Sequence, residues 1–194
     1  MIPHLLKIKI KEDFRCLKKD TEIELKSLTL LVGEQGCGKS SLLTLLQESD
    51  VDATLSKFVQ VHGINTYYFD SEKMNPRIND LDEFTNPNGT SKGIGIGGAM
   101  AARFQSHGEV LREFTVNRIK EAKNCVLFFD EPESSLSLKN QYRLAKEFKQ
   151  AEKRNVQIVL ATHCLPLIES VEKVFWMETM EWVDSKEFIQ SQKI

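Results

Sequence analysis

The 194 residues amount to about one domain by the soft prior of roughly 100–200 residues, enough to bury a core without disulfide or metal staples. Hydrophobic side chains at 41% and charged ones at 28% exclude a disordered or fibrous chain, and 26 basic against 28 acidic residues argue against a dedicated nucleic-acid coat protein. No apolar run approaches the roughly 18 residues of a membrane span, and residues 1–13 lack the apolar stretch and cleavage site of a secretory signal, so the expectation is one cytoplasmic domain over 1–194 without membrane insertion.

Residues 5–12 (LLKIKIKE) alternate apolar and charged with a period of two, which predicts a half-exposed strand. The pattern returns at 22–26 (EIELK) after a polar turn, predicting a small antiparallel N-terminal edge. SLTLLV at 27–32 is continuously apolar, as in a strand buried on both faces. A glycine-rich loop follows, residues 40–49 read as a helix, and INTYYFD at 64–70 reads as a strand. Pro76 and Pro87 then bracket an acidic loop, and NPNGTSKGIGIGG at 86–98 is turn-forming. With a helix from about 106 to 122, this makes an insertion over 71–122. Eight of the ten glycines lie within 33–38 and 89–98, so these loops are expected to carry the backbone conformations that function needs.

NCVLFFDEP at 124–132 predicts another buried strand. Residues 138–155 predict an amphipathic helix with Leu138, Tyr142, Ala145 and Phe148 on one face. VQIVLATH (156–163) reads as a strand, 165–171 as a short helix and 173–178 as a last strand. Strands alternating with helices predict an α/β fold, a mainly parallel sheet flanked by helices. Cys16, Cys37, Cys125 and Cys164 form no C-x-x-C pair, which predicts reduced thiols, and the four histidines show no zinc-ligand spacing with them.

GEQGCGKS at 33–40 fits G-x-x-x-x-G-K-[ST] in full, between a buried strand and a helix. Glycines let successive backbone N–H groups converge on phosphate oxygens, and the helix N-terminus adds positive potential. The expected phosphate-binding set is Gly33, Glu34, Gln35, Gly36, Cys37, Gly38, Lys39 and Ser40, with Ser41 next to it at the helix start, Lys39 reaching the β- and γ-phosphates and the Ser40 hydroxyl on Mg²⁺. The strand of CVLFFDEPE (125–133) carries Asp130 to the C-terminal edge of the sheet as a second Mg²⁺ ligand. Glu131 follows, placed to orient or deprotonate an attacking water. His163 ends a further strand at the same edge, within reach of the γ-phosphate or that water. SHGE at 106–109 opens a helix and reads either as an anion site or as a capping box of Ser106 with Glu109.

In motif content and order the chain resembles the ABC-type ATPases across nearly its whole length. GEQGCGKS looks like Walker A, VLFFDEPE like Walker B with its catalytic glutamate, SSLSL at 134–138 like the D-loop, and His163 like the switch histidine. Ser106, His107, Gly108 and Glu109 are similar to the ABC signature, in an S-x-G-E form. DEPE-x-x-L-x-x-x-x-Q (130–141) and THCLP look closer to the SMC-, RecF- and OLD-like branch than to transporters, although Ser137 and Leu138 replace the usual His-Pro. The resemblance implies a P-loop NTPase fold, ATP and Mg²⁺ as ligands, and a head-to-tail homodimer. Each ATP would lie between the Walker A loop of one subunit and the 106–109 segment of the other, with hydrolysis driving a separate effector protein.

Some positions stay open. Where transporter subunits carry a Mg²⁺-ligating glutamine, Asp70, Ser71, Glu72 and Lys73 stand here, with Gln60 too early; Asp70 or Glu72 replaces it, or the segment is a solvated acidic turn. Phe14 and Arg15 are candidates for stacking on adenine, with core packing the better reading for Phe14. Gly93, Gly95 and Gly98 spell G-x-G-x-x-G without a preceding strand, so a hinge explains them better than a dinucleotide site. Arg77 and Arg103 read as surface arginines or as phosphate contacts across a dimer. The helix over 139–154 has six basic and two acidic residues, which permits nucleic-acid contact but reads first as a solvated face. The leading alternative function is a transporter's nucleotide-binding subunit, against which the 67-position separation of Lys39 and Ser106 leaves little room for a large helical lobe.

Overall fold

The protein is described here by a computed structural model, which describes residues 7–48, 66–70, 115–117, 119–122, 125–154 and 156–193. In chain order the elements are β1 (Lys7–Lys9), β2 (Glu22–Glu24), β3 (Leu28–Val32), α1 (Lys39–Glu48), β4 (Thr66–Asp70), β5 (Val126–Asp130) and α2 (Leu138–Glu152). They continue with β6 (Gln157–Ala161), α3 (Leu165–Glu169), β7 (Lys173–Trp176), β8 (Glu181–Asp184) and α4 (Ser185–Ser191). Residues 115–117 and 119–121 are helical as well, within the helix expected to end near 122.

Alternation of Ile8 with lysines and of Ile23 with glutamates lets β1 and β2 pair antiparallel, Ile8 opposite Ile23, as a two-stranded sheet of their own. The continuous apolar runs instead build a six-stranded sheet in the order β4-β5-β6-β3-β7-β8. Its first five strands are parallel, and β8 closes the edge antiparallel to β7. β3, β5 and β6 carry apolar side chains to both faces, so the sheet has a core on each side. On one face Leu30, Leu127 and Phe129 pack with Leu144 and Phe148 of α2, Leu167 of α3 and Phe188 of α4. On the other, Leu31, Phe128 and Val159 pack with Leu42 and Leu46 of α1 and with Ile8 and Ile23. The expected α/β architecture, a mainly parallel sheet flanked by helices with a small antiparallel pair, is the observed one.

The buried face of α2 differs from the sequence expectation. Leu144, Ala145, Phe148 and Ala151 form it, whereas Leu138 and Tyr142 are 62% and 47% exposed. Leu138 is the first helical residue, and Tyr142 directs its hydroxyl toward Glu169 of α3 at 3.4 Å. The apolar stripe 144, 148, 151 has the i, i+4, i+7 spacing that meets the sheet. β8 and α4 are additions that the sequence pattern did not predict.

Candidate active site

All five parallel strands end at one edge, and the residues singled out by sequence collect there. β3 delivers the chain to that edge at Val32, and residues 33–40 turn it back into α1. The turn needs glycine at Gly33 (φ 141°) and Gly38 (φ 109°). A Cβ at Gly33 would collide with the Glu178 carboxylate, and one at Gly38 with the Cys16 sulfur. Glu178, two residues past β7, also accepts a hydrogen bond from the Glu34 N–H, so β7 braces the start of the loop. Lys39 is buried, and its ammonium donates to the carbonyls of Gly33 (2.9 Å) and Glu34 (2.8 Å) across the loop it closes. The same ammonium lies 3.6 Å from the Cys37 sulfur, whose thiol is pushed up by burial against the opposing pull of Lys39.

β5 brings Asp130 to the head of α1, where the Ser40 hydroxyl donates to its Oδ1 at 3.1 Å and the Tyr68 hydroxyl to its Oδ2 at 3.2 Å. The next residue, Glu131, takes a left-handed backbone conformation (φ 45°), and its N–H donates to Ala161 O at 3.0 Å. That conformation is unusual for a residue with a side chain and is concentrated at functional sites. Glu131 Oε1 stands 3.8 Å from His163 Nε2, both side chains about half exposed. Together with Gly33, Glu34, Gln35 and Thr162 they line a cleft of about 710 Å³. Behind them lies Glu133, only 8% exposed. Its Oε1 accepts from Thr162 Oγ1 at 2.5 Å and from the His163 N–H at 3.1 Å, while its Oε2 is buried without a partner. Burial holds the Glu133 carboxyl above its ordinary pKa, partly offset by these hydrogen bonds.

The oxygens of Ser40 and Asp130 are hard ligands meeting at one point, a donor set suited to Mg²⁺. Among the described residues no cluster of three or more His, Cys, Asp or Glu holds a metal alone. The pair therefore fits a cation that completes its shell with phosphate oxygens and water, as Mg²⁺ does.

The structure thus brings together the 33–41 loop, Asp130, Glu131 and His163. Asp70 ends β4 in register with Asp130. Arg15 stacks on Phe14 at 5.3 Å and reaches Ser41 Oγ at 3.3 Å, and Phe14 packs against the core beneath α1. Ser106, His107, Gly108, Glu109, Gln60, Ser71, Glu72, Lys73, Arg77, Gly93, Gly95, Gly98 and Arg103 lie outside the described residues. Sequence reasoning assigned no role to Tyr68, Glu133, Thr162 or Glu178. Glu133 carried a signal, its place in DEPE, whereas the Glu34–Glu178 contact spans 144 positions and left none.

The loop, the edge aspartate and the mainly parallel sheet make a fold of the P-loop NTPase kind, and comparisons with known proteins agree with that class. A family model described as an AAA ATPase domain matches residues 4–92. Another, described as "AAA domain, putative AbiEii toxin, Type IV TA system", matches residues 120–168. No curated protein matches the sequence. Among solved structures, an inward-facing "putative metal-chelate type ABC transporter" aligns with a TM-score of 0.60 at 17% identity, over 93% of this chain and 82% of that one. cbiO1 from Clostridium perfringens, part of the ABC transporter complex cbiONQ, aligns at 0.53 and 14%, over 95% of this chain and 91% of that one. A bacterial Atm1-family ABC exporter with ATP bound aligns at 0.55 and 14%, over 100% of this chain but 42% of that one. At these identities the likeness is one of fold.

Proposed function

We propose that the chain hydrolyses ATP as an ABC-type ATPase head, forming a head-to-tail homodimer on ATP and passing that state to a separate effector. The observation that carries the reading is the meeting of Ser40 with Asp130, next in sequence to Glu131, which is itself paired with His163 at the same edge of the sheet. The loop's backbone N–H groups and Lys39 bind the β- and γ-phosphates; to reach them the ammonium exchanges its two carbonyl partners for phosphate oxygens. Ser40 and Asp130 would hold Mg²⁺, which when bound would neutralise charge on the phosphates. Glu131 accepts a proton from the attacking water or orients it, and His163 holds the γ-phosphate side of the cleft. Ser106, His107, Gly108 and Glu109 contact the ATP held by the other subunit. Domain limits of 1–194, a cytoplasmic location and kinship with the SMC, RecF and OLD-like branch belong to the same reading. Nucleic acid remains the less favoured partner.

A transporter nucleotide-binding subunit is the second reading, favoured by the ABC transporter structures the fold resembles. No helix among the described residues is long and apolar enough to cross a membrane, so such a subunit would dock on one. Co-sedimentation of the native protein with membranes favours this second reading; recovery from the soluble fraction favours the first.

The first reading is tested with Glu131→Gln, ATP and Mg²⁺ on a sizing column with light scattering. A dimer that dissociates when ATP is removed is expected. A monomer that binds ATP yet never pairs would overturn the head-to-tail arrangement.

A further inference from the structure

We propose that Glu133 is a positioning residue for His163: its buried carboxylate ties the turn after β5 to the segment after β6 and so fixes where the imidazole stands relative to Glu131. The inference rests on the reading of Glu131 and His163 as the hydrolytic pair. The His163 ring is itself 46% exposed, and its Nε2 stands 3.8 Å from Glu131 Oε1. Its place is therefore set through its backbone, and there Glu133 acts.

Glu133 Oε1 accepts both the Thr162 hydroxyl and the His163 N–H. Having donated its proton, the Thr162 oxygen can only accept, and it does so from the Cys164 N–H at 2.9 Å. Three consecutive residues, 162–164, are thus tied directly or through one hydroxyl to a single carboxylate oxygen. The opposite end of the same turn is fastened as well, by the Glu131 N–H to Ala161 O. Glu131 and His163 are therefore mounted on two segments joined at both ends. A buried carboxylate with one oxygen unpartnered is a poor choice for stability alone, since an apolar residue of similar volume avoids its desolvation cost. Its value lies in the acceptor it places under His163.

An amide provides the same acceptor through its carbonyl oxygen, and a methyl group does not. Glu133→Ala is expected to lower kcat for ATP by about 100-fold, the scale of an ångström-sized misplacement, with ATP affinity within about twofold of wild type because the phosphate loop is untouched. Glu133→Gln is expected to recover most of that loss. A second readout does not depend on hydrolysis: the His163 Cε1–H resonance, assigned with His163→Gln, should shift in Glu133→Ala and stay in place in Glu133→Gln. Where Glu133→Ala does not fold, Thr162→Val removes one of the two donors while keeping the side-chain shape, and should shift the resonance in the same direction. An unmoved His163 signal in the folded Ala and Val variants overturns the proposal, as does a folded Gln variant as impaired as Ala. If the wild type releases no phosphate, the ATPase reading fails while the resonance still decides the role of Glu133.

Discussion

At Glu131 the chain leaves β5 in a left-handed conformation that costs a non-glycine residue about 1–3 kcal/mol. The hydrogen bond to Ala161 and the tethered Glu133 hold it there. Lys39, Ser40, Asp130 and Glu131 were legible in the sequence because a phosphate loop and an acidic strand end are local patterns with local chemistry. The contacts that steady them were not. Glu178 reaches Gly33 and Glu34 from the end of the neighbouring strand β7, and nothing at position 178 announces a partner 144 residues away. Glu133 also supplies a pH signature. Burial raises its folded pKa above the ordinary 4.5, so the native state holds this proton more tightly than the unfolded chain does. That contribution is complete below the unfolded value and is lost as pH rises through the folded one. Thermal unfolding of wild type and Glu133→Gln across this range should show the wild type losing Tm relative to the variant as pH climbs above 4.5. A difference that stays constant with pH would contradict the assignment.

Among the elements, α2 shows how periodicity identifies a helix more readily than its face. Leu138, Tyr142, Ala145 and Phe148 satisfy helical spacing, yet the face that meets β5 and β6 is Leu144, Ala145, Phe148 and Ala151. Two stripes rotated by roughly one residue share Ala145 and Phe148, and only the sheet decides between them. Phe148 is 1% exposed and meets the Phe129 ring edge-on at 5.2 Å. Phe148→Ala should therefore cost about 3–5 kcal/mol in urea unfolding, whereas Tyr142→Ala should stay within about 1 kcal/mol; equal losses would return Tyr142 to the core. The β7–β8 hairpin escaped prediction for a different reason. Its turn places Met180 at φ 56°, a conformation normally announced by glycine, asparagine or aspartate. Without that signal the last two elements, β8 and α4, went unread.

For the molecule as a whole, the succession of apolar runs and helices made the parallel α/β sheet legible, and residues on both faces of β3, β5 and β6 fulfil it. The strand order β4-β5-β6-β3-β7-β8 was not legible, because register between buried strands is fixed by pairing rather than by any residue type. That order sets β3 beside β6, with β5 next. The phosphate loop, the acidic turn and His163 therefore converge on one cleft although they span 131 positions of the chain. In the proposed function this edge binds and cleaves ATP through the loop closed by Lys39. Phosphate release from Mg²⁺-ATP, measured side by side for the wild type and Lys39→Ala with ATP binding followed by calorimetry, tests it most directly. Release by the wild type, with both binding and release lost in the variant, is the predicted result; equal release from the two proteins would contradict it.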